Sequence, residues 1–377
     1  MIIKNIKIIN HDAVIENGFI EIRDDKIVNI GQNYTGTEDS ISGEYALPGF
    51  IDIHIHGTNG HDVMDGTTEA LDALTMNLPK EGTTSFLATT LTMSESKLKK
   101  AIANIADFKS DKVGAQILGI HLEGPYVNCS FKGAQNEKFI QKPSIESISE
   151  LLKEADGLVK LVTYAPEKTD VSFTKFLADN NIIPSVGHSG ATMSEVLEHV
   201  EYGLTNITHF QNRQSGHHHR HPGVVSAGFY SDTLNTELIV DGIHVNKDAV
   251  KVVYKVKTKD RILLITDSVR AKGLRDGTYN LGGLDITKSE GAVRTTTGAL
   301  AGSILSLNDA VKNMMDYTGC TLHEIVSMTS YNQAKLLQVD NTLGTIAPGY
   351  DADIVILDKN LNILYTFCKG QQAYKKM

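Results

Sequence analysis

Between residues 48 and 343 the chain alternates between short apolar, strand-like runs and segments with helical spacing. The runs fall near 49–56, 83–91, 115–122, 159–165, 182–187, 205–210, 236–243 and 261–267. Helix-like segments separate most of them, at 68–80, 93–108, 144–155, 171–180, 192–202 and 246–257. Thr192-Met193-Ser194-Glu195 reads as a capping box at the start of one such helix. Strand, helix, strand is the signature of a parallel sheet, because a parallel connection needs a crossover about as long as a helix. Eight such units over roughly 250–300 residues predict an α/β fold, a (β/α)8 TIM-like barrel. An open doubly wound sheet is the competitor, but no glycine-rich phosphate fingerprint follows the first strand.

The two ends of the chain differ from this middle. Ile2, Ile6 and Ile8, then Phe19 to Ile22, then Ile27 to Ile30 are strand-like, parted by Asn17-Gly18 and Asp24-Asp25. Asp353 to Leu357 and Leu361 to Phe367 read the same way. The economical expectation is a small β-sandwich domain built from residues 1–47 plus 344–377, with the barrel over 48–343. Gly- and Thr-rich text at 278–302 reads as a hairpin insertion after the eighth strand, and helices at 306–317 and 322–338 close the barrel.

Composition narrows the function classes. A net charge of −9 argues against a nucleic-acid surface. Cys129, Cys320 and Cys368 are far apart and form no Cys-x-x-Cys, so neither a disulfide framework nor a thiolate zinc site is expected. No apolar run of about 20 residues is present to span a membrane, and the polar-interrupted start lacks a secretory pattern. The expectation is a soluble, cytoplasmic protein. The unusual feature is 14 histidines.

Their placement is informative. In Pro48-Gly49-Phe50-Ile51-Asp52-Ile53-His54-Ile55-His56-Gly57 the period-two alternation of a strand puts His54 and His56 on one face. The third run ends at Glu123, the fifth at His188, the sixth at His209 and the eighth at Asp267. Singly, such residues read as helix caps or hydrogen-bonded core histidines. Together they occupy the C-terminal ends of five strands, which a barrel gathers on the face where active sites are built. Imidazoles with carboxylates suit one or two divalent ions such as Zn or Fe. Asp267, besides ligating, is placed to take a proton from water acidified by such an ion and to return it to a leaving amine.

The motifs His-Leu-Glu-Gly-Pro-Tyr (121–126), Lys-Gly-Ala-Gln (132–135), Tyr-Ala-Pro-Glu (164–167), Gly-His-Ser (187–189), Thr-His-Phe (208–210), Val-Asp-Gly-Ile-His (240–244), Thr-Asp (266–267) and Leu-Ala-Gly-Ser (300–303) follow that first strand in order. With them the chain resembles the amidohydrolase superfamily, and within it the N-acetylglucosamine-6-phosphate deacetylases. The resemblance implies hydrolysis of an N-acetyl group from a sugar phosphate. It implies Glu123, His188 and His209 as principal metal ligands, His54 and His56 as ligands of a second ion, and Asp267 as general acid and base. It implies Asn212 and His244 as phosphate contacts, Gln135 beside the substrate carbonyl, and Ala134 and Ser303 in substrate-facing loops. Arg220 matches an arginine that reaches the neighbouring subunit's site, which implies a homodimer, while His217 and His218 read as solvated loop. Where the family has Asn-Ala-Met this chain has Asn212-Arg213-Gln214, and Ser268-Val269 stands where Ala-Met is common. Arg213 therefore joins the substrate-binding set, either strengthening phosphate binding or redirecting the pocket to another anion. The alternatives are a different N-acyl amino-sugar phosphate, such as N-acetylgalactosamine 6-phosphate, and a non-catalytic sugar-phosphate-binding protein.

Overall fold

A computed structural model describes residues 1–37 and 40–376. Its centre is a sheet of eight parallel strands in sequential order: Phe50–Ile55, Thr83–Thr89, Gln116–Glu123, Val159–Tyr164, Ile183–Val186, Asn206–Ile207, Asn235–Leu238 and Ile262–Leu264. The eighth strand reaches the first just beyond its end. There Asp267 N donates to His54 O at 2.8 Å and Gly57 N to Ser268 O at 2.9 Å. The expected TIM-like barrel is present, closed at the end where Asp267 meets His54.

The predicted helices lie between the strands, at Thr68–Asn77, Glu95–Ala106, Ile145–Leu152, Val171–Asp179, Met193–Val200 and Lys247–Lys257. The capping box at Thr192 and Glu195 forms. A seventh helix, Val224–Tyr230, has no periodic signal because it is short, β-branched and contains Gly228. Gly228 is required by packing: a Cβ there would lie 2.4 Å from the Phe210 ring. The insertion is a three-stranded antiparallel sheet, Gly277–Leu281, Leu284–Ser289 and Ala292–Thr295, rather than a single hairpin. The closing segment starts with Leu307–Thr318 and continues from Leu322, widening into a π turn at Ser327–Tyr331. In that turn Ser330 Oγ reaches Gly49 O at 3.0 Å, a side-chain bond that competes with regular helical pairing.

Both chain ends build one further sheet. Its order runs Gln371–Lys375, Ile363–Cys368, Ile354–Leu357, Tyr45–Pro48, Ile2–Ile9, Val14–Arg23, Lys26–Gln32, with Ser40–Ile41 added beside Ile2–Ile9. Period-two alternation gives it two different faces. Ala46, Ile354 and Ile356 join a local cluster with Ile3, Ile6 and Phe367, while Leu47, Val355 and Leu357 join the barrel's core. No helix among the described residues is long and apolar enough to cross a membrane.

The barrel interior is polar at the end that carries the site. Thr266 Oγ1 donates to Asp52 Oδ2 at 2.6 Å. A second network runs round the wall. His121 Nδ1 lies 3.1 Å from Ile53 O, which only accepts, so Nδ1 carries the proton and Nε2 accepts from Thr163 Oγ1 at 2.7 Å. Thr163 then accepts from Thr208, and Thr208 from Ser185, each at 2.6 Å. Ser185 accepts from Asn206 Nδ2 at 2.9 Å, whose amide also donates to Glu237 Oε1 at 2.8 Å. Burial, with the nearby charge of His54, pushes His121 down to about 3, so it stays neutral.

Asp353 joins the terminal sheet to the barrel, accepting from Gln116 Nε2 at 2.9 Å and Lys369 N at 2.6 Å. Burial raises its carboxyl from 3.8 to about 7. The folded state therefore binds an extra proton between those values, and this group's contribution to stability is lost as pH rises from about 4 to 7. Asp353→Asn is expected to gain stability relative to wild type over that interval, by up to roughly 4 kcal/mol at pH 8. Denaturant midpoints at pH 5 and pH 8 check this, and a difference that does not change with pH contradicts it.

Candidate active site

Strand periodicity and barrel closure bring the six predicted metal ligands together. Glu123 is the shared member. Its Oε1 lies 3.1 Å from His188 Nε2 and 3.0 Å from His209 Nε2, and its Oε2 lies 3.4 Å from His56 Nε2. Asp267 Oδ1 lies 3.2 Å from His56 Nε2 and 3.5 Å from His54 Nε2. Two adjacent triads result, Glu123–His188–His209 and His54–His56–Asp267, each with one ligand atom per residue within 4.8 Å of the others. All six are buried.

In this arrangement the carboxylates draw positive charge toward the imidazoles. Burial alone would drive protons off His54 and onto Asp267. Instead the carboxylates of Asp267, Glu237 and Glu123 outweigh burial at His54 and raise it to about 9. Burial likewise loses at His56, which Asp267 and Glu123 hold well above the ordinary value. Burial raises Glu123 and Asp267, but the neighbouring imidazoles hold both below their ordinary values. His188 Nε2 and His209 Nε2 face each other at 3.0 Å across the same carboxylate oxygen, and His54 Nε2 is buried without a hydrogen-bond partner. Nitrogen lone pairs converging on carboxylates, with no thiolate among them, are the donor set of a borderline divalent cation. The residues present fit such an ion, and Glu123, a member of the first triad, also lies 3.4 Å from His56 of the second.

The cluster forms the floor of a cavity of about 580 Å³ whose wall includes Ala134, Gln135, Asn212, Arg213 and His244. Gln135 is fixed at both ends of its amide: Oε1 accepts from Thr92 N at 2.9 Å and Nε2 donates to Glu123 Oε2 at 2.5 Å. Asn212 Nδ2 turns back to its own loop, toward His209 O at 3.2 Å. His244 Nδ1 bonds Asp241 Oδ2 at 2.6 Å, which leaves Nε2 for the cavity. Two predicted residues are elsewhere. Ser303 is buried off the wall, its hydroxyl donating to Thr266 O and its N–H to Asp267 O at 2.7 Å. It braces the Asp267 segment, because a side chain bonded into the closure of the barrel cannot also face the substrate loop. Arg220 is exposed and off this chain's own cavity wall, its Nη1 beside His219 Nε2 at 2.8 Å.

Residues 45–373 match the amidohydrolase family. This chain belongs to that family. Within it, the chain groups with the N-acetylglucosamine-6-phosphate deacetylases. It is 38% identical to the N-acetylglucosamine-6-phosphate deacetylase of Bacillus subtilis over 384 residues, 99% of this chain and 97% of the relative. It is also 38% identical to the N-acetylgalactosamine-6-phosphate deacetylase of Escherichia coli O157:H7 over 332 residues, 88% of each. The crystal structure of the Thermotoga maritima N-acetylglucosamine-6-phosphate deacetylase superposes with a TM-score of 0.90, at 37% identity and covering 100% of both chains.

The amidohydrolase site rests on further residues to which the sequence motifs gave no role. Glu237, fully buried in the seventh strand, accepts from His54 Nδ1 at 2.9 Å, Asn206 Nδ2 at 2.8 Å and His209 N at 3.1 Å. It fixes the His54 tautomer so that Nε2 points at Asp267 and Glu123. A carboxylate immediately before the apolar run Leu238-Ile239-Val240 was the available signal. His54, His121 and Glu237 form a third close triad, but His121 is engaged at both ring nitrogens and His54 Nδ1 already donates to Glu237. That triad is therefore a hydrogen-bonded support. Glu167 similarly holds the His188 loop, accepting from Ser189 Oγ at 2.7 Å and Gly190 N at 2.6 Å. His188, His209 and Asp267 have φ values of 47°, 31° and 48°, a strained conformation for side chains of this kind and one that collects at functional sites.

Glu237→Gln keeps the shape and removes the charge behind His54. The expected outcome is about 10–100-fold weaker metal retention, read by metal content after dialysis against a graded chelator. Retention equal to wild type would remove Glu237 from this role.

Proposed function

We propose that this amidohydrolase hydrolyses the acetamide of N-acetylglucosamine 6-phosphate to glucosamine 6-phosphate and acetate. One observation carries the reading: an Asp267–Glu123–imidazole cluster is buried at the floor of a cavity whose wall also presents Arg213 and His244. Two relatives at 38% and 40% identity that bear the name N-acetylglucosamine-6-phosphate deacetylase support it. Glu123, His188 and His209 would hold one divalent ion, Zn or Fe, and His54, His56 and Asp267 would hold a second. When bound, such an ion acts as a Lewis acid toward the carbonyl and acidifies water.

The protein's own groups do the rest. Asp267, kept ionised by His54 and His56, accepts a proton from the attacking water and returns it to the amide nitrogen as the C–N bond breaks. Gln135, its amide oriented by Thr92 and Glu123, presents an N–H to the carbonyl oxygen as negative charge develops there. Asp241 orients His244 toward the phosphate, and Asn212 and Arg213 line the same region. Ala134 lies beside Gln135 against the sugar.

In the same reading the enzyme is a cytoplasmic homodimer, with the exposed Arg220 reaching the neighbouring subunit's cavity. The chain divides into the barrel, 48–343, and a terminal β domain, 1–47 plus 344–377, a division supported by the apolar cluster that one face of the terminal sheet keeps to itself.

Acetate release from a panel of N-acetylated sugar phosphates by metal-replete protein tests the proposal. Preferred turnover of N-acetylgalactosamine 6-phosphate would replace the sugar, and tight binding without acetate release would replace the activity. Asp267→Asn is expected to fold, to retain metal at the Glu123 triad and to lose about 10²–10⁴-fold in kcat. More than a tenth of wild-type turnover, on the order of 1.4 kcal/mol or less of lost transition-state stabilisation, would exclude Asp267 as the proton carrier.

A further inference from the structure

Two arginines from unrelated parts of the chain line the cavity. Arg213 follows the sixth strand, and Arg294 belongs to the third strand of the insertion. Among the described residues, neither guanidinium has a carboxylate within ion-pair distance, whereas Arg270 pairs with Asp65 at 2.7 Å and Arg23 with Glu21 at 3.4 Å. Asp and Glu outnumber Lys and Arg by 45 to 36 in this chain, so two arginines on one cavity wall give it a local positive charge against that balance.

Each is held by its surroundings. Arg213 sits at φ 50°, its carbonyl accepting from Ser189 N at 3.1 Å. Its stem lies on Gly133, where an added Cβ would come within 3.1 Å of both Cγ and Nε. Arg294 is set by strand alternation. Val293 turns into a small apolar cluster with Leu281 and Ile286, so Arg294 faces the other way. The turn beyond it is tight, with Thr295 N to Ala299 O at 2.8 Å and Gly298 N to Thr295 O at 2.9 Å. Gly298 O accepts from Arg294 Nη1 at 3.1 Å, which leaves the other guanidinium N–H groups free.

The cavity floor carries the carboxylates of Glu123 and Asp267. An anionic substrate therefore needs cations away from the floor. A guanidinium is suited to this, since its planar fork meets two oxygens of a phosphate monoester at once. We propose that Arg213 and Arg294 form a clamp, supplied within one subunit, for the phosphate of the substrate, and that the insertion is a recognition arm with Arg294 as its specificity-determining residue. The inference rests on the sugar-phosphate reading above and adds to it a contact from a segment outside the barrel.

The test compares wild type with Arg294→Gln, Arg294→Lys and Arg213→Gln, all metal-replete. Kinetics are measured on N-acetylglucosamine 6-phosphate and on N-acetylglucosamine, and the binding of inorganic phosphate is measured by calorimetry. For each glutamine variant the expected result is a rise of about tenfold or more in KM for the phosphorylated sugar. The ratio of kcat/KM between the two sugars should fall by the same factor, with a matching loss of phosphate affinity. Arg294→Lys should recover part of each, because it restores the charge without the fork. Equal losses on both sugars with unchanged phosphate affinity would show that Arg294 only supports the wall, and would overturn the clamp. No change in any measurement would overturn it too. Wild-type protein that binds phosphate through these arginines but releases no acetate would sink the proposed activity and leave the clamp standing. Wild type that strongly prefers the phosphorylated sugar, with variants that behave like it, would do the reverse.

Discussion

The Glu123 carboxylate, shared by His188, His209 and His56 at the buried floor of the barrel mouth, is the interaction on which the rest of the structure depends. Burying several ionisable groups together is costly unless each finds a partner of opposite charge and a complete set of hydrogen bonds. The fold meets that requirement in layers. The carboxylates raise His54 and His56, and the neighbouring imidazoles keep Glu123 and Asp267 ionised. Glu237 fixes His54 from behind, Gln135 fixes Glu123 from the side, and backbone closure between Asp267 and His54 holds the two triads in register. A barrel whose inner wall was filled with branched aliphatic residues would pack well and support none of this.

Much of the architecture was legible in the sequence because barrel strands and crossover helices carry different periods, and because His54 and His56 cannot point apart on one strand. The supporting groups were harder to see. Glu237 and His121 carry the same residue types as the ligands, but only the curvature of the closed sheet shows which of them face the cluster and which face the wall. Ser303 is the reverse case: a sequence motif put it near the substrate, and the closing turn of the barrel takes its hydroxyl for Thr266 O. The helix Val224–Tyr230 was illegible because its stability comes from packing against Phe210 rather than from propensity.

The left-handed backbone at His188, His209 and Asp267 has a related origin. A strand that continued straight past its last barrel residue would carry these side chains up and away from the axis. The reversal in φ turns each one inward, and the hydrogen bonds of the following loop hold it there. Strain at these three positions is thus part of how residues on separate strands reach a common point.

The hydrogen-bonded chain from Asn206 through Ser185, Thr208 and Thr163 to His121 has a single polarity. It is anchored at one end by the Ile53 carbonyl, which has no proton to give. Every hydroxyl along it is already committed as both donor and acceptor in one sense, and a neutral His121 cannot reverse it. The chain is therefore an insulator rather than a wire. It therefore fixes the ring of His121 and the Glu237 carboxylate that Asn206 also meets in single orientations behind the cluster.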